Sequence, residues 1–358
     1  MLCAWATVIN AQNIYYVEPG GTGLGTSWSD AGNLKTALNS VSPNLQIWAK
    51  HGDYEDTFNI KCPVELYGGF WGDESTIEDR NLNGNPPSVI TTNYAESSCC
   101  QPKDHALYDS SFNCTIDGFT IKESGNEYLY GGGIYITHAN VTLRNLIFED
   151  NKAHCGAGVC LEHCTGRIEN VIFRNNHVWD GGAGLFLSRC SSMVVVNVLF
   201  DGNKTDLPHF IPHGMRYGGA LFVEATSAEL INCTFTSNNA ADSGSGITVD
   251  SSTLHIVNSI FDRVEFLRLG NPAIDPSYIH FEYCDTWQCS RRPTSWSLQY
   301  DNSIHHNPNF SSSFHLQQGS PCIDSGNNNF VPGDVQWDLD LQPRVSNGTV
   351  DMGAYELQ

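Results

Sequence analysis

The chain has 358 residues, 18 Lys and Arg against 39 Asp and Glu, and a formal net charge of −21. That balance excludes a nucleic-acid binder, which needs clustered basic residues for its phosphate contacts, and argues against docking on anionic lipid. Hydrophobic content of 40% supports a real core, while only 16% charged residues and 33 glycines disfavour a helical protein.

No apolar run reaches the ~18 residues of a membrane-spanning helix, so no transmembrane helix is expected. Met1–Gln12 (MLCAWATVINAQ) is apolar and ends in small or polar residues, which reads as the remnant of a secretory signal. Thirteen cysteines are many for a reducing cytosol. They show no zinc-type spacing, so an oxidising, extracellular or outer-surface location is expected. Cys99–Cys100 is a vicinal pair and awkward to link.

The middle of the chain repeats. Five segments align: GGGIYI, GAGVCL, GAGLFL, GGALFV and GSGITV, with fourth residues Ile134, Val159, Leu185, Leu221 and Ile247. The steps between them are 25, 26, 36 and 26. Each segment is followed by a second strand-like stretch carrying Asn145, Asn170, Asn197, Asn232 or Asn258, and IDGFTI (Ile116–Ile121) opens the series with Gly118 at the Asn position. A period of ~26 residues built of short β runs and Gly or Asn turns predicts a parallel β-solenoid, all-β, wound right-handedly. Coils then stack at about 4.8 Å and equivalent residues form columns. An aliphatic column is expected at Ile134, Val159, Leu185, Leu221 and Ile247, and an aromatic one at Phe148, Phe173, Phe200, Phe235 and Phe261. The asparagines form a third, hydrogen-bonding from coil to coil. A β-propeller would need a longer period of ~40 residues. The 36-residue step marks an insertion at Thr205–Arg216.

Stacking also predicts surface columns. Thr137, Glu162, Ser188, Glu224 and Asp250 follow the inward strand, and His138, His163 and Arg189 form the next ladder, a candidate ligand surface. Cys164 and Cys190 then lie one coil apart, inside the Cα window for a disulfide, and Cys284 and Cys289 could close a small loop. Candidate catalytic residues cluster before the glycines: Lys152, His154, His177, Asp180, His213 and Arg216. Tyr130, Trp179, His209 and Tyr217 join them as ligand-binding candidates, their rings suited to sugars. A lyase needs a base and a cation to neutralise a uronate. A hydrolase needs paired carboxylates, and none is singled out among Asp180, Glu162, Glu224, Asp242 and Asp250. No cofactor is expected. Calcium is possible, with a weak signal at Asp338 and Asp340 in WDLDLQ.

The motifs Phe148-Glu-Asp-Asn151 with Gly156-Ala-Gly158, Phe173-Arg-Asn-Asn176 with Gly182-Ala-Gly184, Phe200-Asp-Gly-Asn203 with Gly218-Gly-Ala220, and Phe235-Thr-Ser-Asn238 with Gly244-Ser-Gly246 resemble the repeats of polymorphic outer-membrane proteins. GSPCIDSG (Gly319–Gly326), DLDLQPR (Asp338–Arg344) and VDMGAYE (Val350–Glu356) are similar to the ending of secreted right-handed β-helix proteins of Bacteroidota, the choice-of-anchor Q type. YYVEPGGTG (Tyr15–Gly23), IWAKHGDY (Ile47–Tyr54), LYGGFWGDE (Leu66–Glu74) and a short helix near Ser29–Ser40 fit the same resemblance. It implies a pectate-lyase-like solenoid and export. In that reading 13–105 hold an N-terminal cap and first coils, 106–270 regular coils, and 271–358 C-terminal coils and a cap. Trp28, Leu34, Ala37 and Leu38 would cover one open end, and Asp338–Glu356 would close the other, with Arg344 paired to Asp338, Asp340 or Asp351. The function expected is an extracellular or cell-surface scaffold recognising polysaccharide or surface protein. The alternatives are a polysaccharide lyase or glycoside hydrolase working in a groove on the coil face, and a self-assembling structural subunit.

Overall fold

The computed structural model describes residues 13–40, 45–82, 87–92, 106–110, 112–126, 129–205, 217–241, 243–269, 277–293 and 298–358. The expected leader Met1–Gln12, Cys99–Cys100, Asp242 and the insertion residues His209, His213 and Arg216 lie outside these residues.

The described strands form three sheets of seventeen, nine and three strands, and strands of successive coils pair parallel. Ile134 pairs with Val159, Val159 with Leu185, Leu185 with Leu221 and Leu221 with Ile247, the register set by the repeat. All five side chains are fully buried. Phe148, Phe173, Phe200, Phe235 and Phe261 stack with centroids 5.1, 5.0, 4.4 and 4.7 Å apart. Each buried ring stabilises the coil by about 1.5–3 kcal/mol. This is an all-β parallel β-helix.

The asparagine column forms at a bend. Asn145, Asn170, Asn197, Asn232 and Asn258 all take φ between 48° and 53°, a left-handed conformation that Asn tolerates better than most residues. Gly118 holds the same place with φ 83°. Asn197 Nδ2 donates to Asn170 Oδ1 at 3.0 Å, and Asn170 Nδ2 to Asn145 Oδ1 at 3.4 Å. Asn145 Nδ2 donates to Asp117 Oδ1 at 2.8 Å; Arg80 and Arg144 hold the other carboxylate oxygen at 3.0 and 2.6 Å. The ladder stops at Asn232 and Asn258, whose amides donate instead to Asp351 O and Asn327 O. A second, fully interior ladder joins the last Asn of each FxxN motif: Asn151, Asn176, Asn203 and Asn238 link amide to amide at 2.9–3.0 Å.

The expected disulfides are not formed: Cys164, Cys190, Cys284 and Cys289 stand as unbridged thiols. The reason is a bend motif. Cys164 Sγ and Cys190 Sγ each donate to the carbonyl two residues back, on Glu162 and Ser188. Thr226 and Ser252, next in the column, make the same bond with their hydroxyls to Glu224 and Asp250. A parallel column runs Cys233, Ser259, Cys284 and Ser303, bonded to Ile231, Val257, Glu282 and Asp301. Cys289 bonds Trp287 O likewise. In these columns the thiol stands where a hydroxyl serves equally.

At the first rung, the helix Leu34–Asn39 starts at Asn33, whose side chain accepts from the backbone of Lys35 and Thr36. Leu34, Ala37 and Leu38 enter the core beside the strand Asn13–Val17, as expected. Trp28 does not: it packs with Tyr16, Trp48 and Phe70 in a separate cluster.

The C-terminal segment departs further from expectation. It runs back along the outer face of the long sheet. Val335, Phe330 and Val331 cover Val196, Ile231 and Val257. Ala354, Tyr355 and Leu339 cover Leu199 and Ile172. Strands such as Met193–Asp201 (MVVVNVLFD) carry apolar residues on both faces, so the outer face needs a cover too. Arg344 pairs with Glu356 rather than with Asp338, Asp340 or Asp351. Among the described residues no helix is long and apolar enough to cross a membrane.

Candidate functional site

The short three-stranded sheet carries one group of the expected residues. In the strand Lys152–Cys155, Ala153 is buried while Lys152 and His154 alternate outward; in His177–Gly181, Val178 is buried between His177 and Trp179. Lys152 pairs with His177, one coil on. A register shift before Cys155 brings Asp180 beside His154, with Nε2 and Oδ2 3.7 Å apart. The Tyr130 ring stands edge-on to His154 at 5.6 Å, and Tyr130 itself is 42% exposed. Burial raises the Asp180 carboxyl above its usual range, and the His154 charge opposes that shift. Asp180 Oδ1 has no hydrogen-bond partner among the described residues. Tyr217 bridges Gly181 from the next coil, its N–H donating to Asp180 O at 2.9 Å. The structure therefore gathers Tyr130, His154 and Asp180 closely, with Lys152, His177, Trp179 and Tyr217 on the flanking positions.

The bend ladder also forms. His138 and His163 stack at 4.6 Å and 18°, both exposed, with exposed Arg189 on the following coil. Beside it Glu162 and Glu224 are already engaged: Glu162 accepts from Tyr135 Oη and Glu224 from Ser188 Oγ.

The weak calcium signal dissolves. Asp338 Oδ1 accepts from the backbone of Asp340 and Gln342, and Oδ2 from Glu356 N, so the carboxylate ties together the C-terminal loop. Asp340 pairs with His315 at 2.5 Å instead of sharing a cation with Asp338.

Sequence reasoning passed over a third place. On the outer face of the long sheet, Ser192, Val194, Glu229, His255, Tyr278 and Glu282 line part of an open groove of about 620 Å³. Glu229, His255 and His280 are equivalent positions on consecutive coils, paired in register. The imidazoles of His255 and His280 stack at 5.2 Å. His255 Nε2 lies 2.8 Å from Glu282 Oε2 and Nδ1 lies 3.4 Å from Glu229 Oε1. His280 Nε2 lies 2.6 Å from Asp301 Oδ2. Phe330 of the C-terminal segment makes a T-shaped contact with His255 at 5.9 Å. Tyr278 stands at the rim, 39% exposed, its hydroxyl bonded to Gln299. The signal was present in the sequence: the steps from Glu229 to His255 to His280 are 26 and 25, the period of the repeat.

Chemically, the groove offers hydrogen-bond acceptors, two imidazoles and a phenol. Among the described residues no Lys or Arg lines it. The three-stranded face offers instead a carboxyl raised by burial beside an imidazole, 3.7 Å apart.

A family described as the right-handed β-helix region matches residues 70–266, more than half of the chain. The chain belongs to the right-handed β-helix family. No curated protein matches this β-helix. Among solved structures, pectate lyase Pel9A is 14% identical with a TM-score of 0.52, covering 97% of this chain and 96% of its own. A rhamnogalacturonan lyase is 13% identical with a TM-score of 0.36, covering 88% and 86%. An alginate lyase from Paenibacillus sp. is 12% identical with a TM-score of 0.35, covering 83% of this chain and 100% of its own. At such identities the likeness is one of fold, and the β-helix takes its chemistry from its own side chains.

Proposed function

We propose that this β-helix is an extracellular recognition scaffold that binds a neutral polysaccharide along the groove of Glu229, His255, Tyr278, His280 and Glu282. The carrying observation is the lining. Carboxylates and imidazoles accept and donate to sugar hydroxyls, the exposed Tyr278 ring offers a stacking face, and among the described residues no Lys or Arg lines the groove to neutralise a uronate. The net charge of −21 acts in the same direction, opposing an anionic glycan. Export is part of this reading, supported by the composition of Met1–Gln12 and by the C-terminal resemblance to secreted Bacteroidota β-helices.

Affinity electrophoresis and calorimetry against neutral chains (β-glucan, xylan, galactomannan) and acidic ones (pectate, alginate) test it. Binding to a neutral chain is expected, weakened about tenfold, or ~1.4 kcal/mol, by Tyr278→Ala. Exclusive binding to acidic chains, or neutral binding that ignores Tyr278→Ala, would overturn it.

A second reading is glycan cleavage at Tyr130, His154 and Asp180. The raised Asp180 carboxyl 3.7 Å from His154 supports it. Here His154 would act as base and Asp180 as proton donor. New reducing ends or ultraviolet-absorbing unsaturated products, lost in His154→Ala, would replace the scaffold reading with an enzymatic one. The absence of products across the panel would remove it.

A further inference from the structure

Two clusters of the described residues place three metal-ligating side chains together: His154, Cys155 and Asp180, and His255, His280 and Glu282. They differ in readiness. Cys155 must lose its proton to ligate well, and burial raises its thiol far above the usual value. The Asp180 carboxyl is raised too. The second cluster needs no thiolate.

We propose that His255, His280 and Glu282 form a binding site for a divalent transition metal of the zinc, cobalt or nickel type. One nitrogen of each imidazole and one oxygen of Glu282 lie within 4.8 Å of one another, and all three side chains are half-buried. Two imidazoles and a carboxylate are a borderline-soft donor set, suited to these ions and unlike the all-oxygen shells that calcium and magnesium take. The surroundings fit the same ion. Glu229 lies 3.4 Å from His255 Nδ1, and Asp301 lies 2.6 Å from His280 Nε2. Carboxylates on ligand histidines orient the rings and raise their basicity. With Glu282 they place three carboxylates around the site, and among the described residues no lysine or arginine lines the groove to compete with a cation. Parallel stacking explains how such a site arises: equivalent residues one period apart are brought to about the strand spacing. The three protein ligands leave positions open toward the groove, as in metal sites that take an exogenous ligand. This site shares its groove with the glycan reading, which describes the metal-free protein, and a bound ion would add a cation to that groove.

The test uses the intact, reduced protein with Zn(II) in calorimetry and Co(II) in absorption. One equivalent should bind saturably, with visible Co(II) d–d bands and no near-ultraviolet thiolate band. Binding should be lost in His280→Gln and in Glu282→Gln, and weakened about 10–100-fold in Asp301→Asn. It should persist in His154→Gln, with circular dichroism confirming that each variant folds. Failure to saturate would overturn the proposal. A thiolate band, or loss in His154→Gln with retention in His280→Gln, would do so too, because the metal would then sit at the cysteine cluster. Glycan binding by metal-free protein is read separately, so either proposal can fail alone.

Discussion

Arg344 donates through Nη2 to Glu356 Oε2 at 2.7 Å, and both side chains are almost wholly shut away from solvent. The same guanidinium donates through Nη1 to Asn197 Oδ1 at 3.3 Å and to the carbonyls of Gly353 and Ala354 at 3.1 Å. Glu356 in turn accepts from the backbone of Ser346 and Asp351. This pair therefore holds the C-terminal segment in its own shape and clamps it to the asparagine column. Arg344→Met leaves Glu356 buried without its partner, and a loss of about 3–5 kcal/mol is expected by thermal or denaturant unfolding. A change below about 1 kcal/mol would show that the segment is held by its apolar contacts alone.

The interior ladder supports a second prediction. Asn176 donates to Phe148 O at 2.9 Å and to Asn203 Oδ1 at 2.9 Å, and its own Oδ1 accepts from Asn151. Asn176→Ala removes these bonds and the one that Oδ1 accepts from Asn151 N, and leaves interior polar groups unmatched. The expected loss is roughly 1–3 kcal/mol per unsatisfied group. Hydrogen exchange should quicken first at the amide of Asn151, whose acceptor is Asn176 Oδ1.

The bend columns predict the behaviour of the cysteines. Since Thr226 and Ser252 make the same bond as Cys164 and Cys190, Cys164→Ser and Cys190→Ser should each cost no more than about 1 kcal/mol. Removing a native disulfide would cost about 2–5 kcal/mol. Alkylation of the unfolded, unreduced protein should label both thiols; protection of the pair would show a bridge.

Asp285 supplies a pH dependence. Its side chain is buried, accepts from His306 N at 3.0 Å and from the Cys322 thiol at 3.2 Å, and burial pushes its carboxyl from 3.8 up to about 6. A raised carboxyl favours the folded state while protonated. That contribution is whole below about pH 4 and is lost as pH climbs through 6. Asp285→Asn stays neutral, so it should match the wild type below pH 4 and exceed it above pH 6, by roughly 1–3 kcal/mol. Melting curves across that range check it; parallel curves would rule out the titration of Asp285 as the cause.

The division between what sequence shows and what it hides follows chain separation. The columns of Ile134, Phe148 and Asn145 were legible because each contact joins residues one period apart, and a period is visible as spacing. The groove of His255 and His280 obeyed the same rule and could have been found by extending it to the second strand. Spacing places the bend cysteines in a column but does not encode where each Sγ points, and that direction sets the carbonyl each thiol bonds and its contact with the next thiol.

Only the tertiary structure decided the course of residues after Asp301. Their partners lie at separations such as 147 for Arg344 with Asn197 and 120 for Ala354 with Thr234, and no repeat relates them. Read in one dimension, VDMGAYE could close an end or cover a flank. The outward Val196, Ile231 and Val257 drew the segment to the flank, because an apolar face on the long sheet must be shielded from water as surely as the interior. The periodic half of the molecule was thus set by local stacking that the amino acids announce. The aperiodic half was set by which exposed surface remained to be buried once the coils had formed.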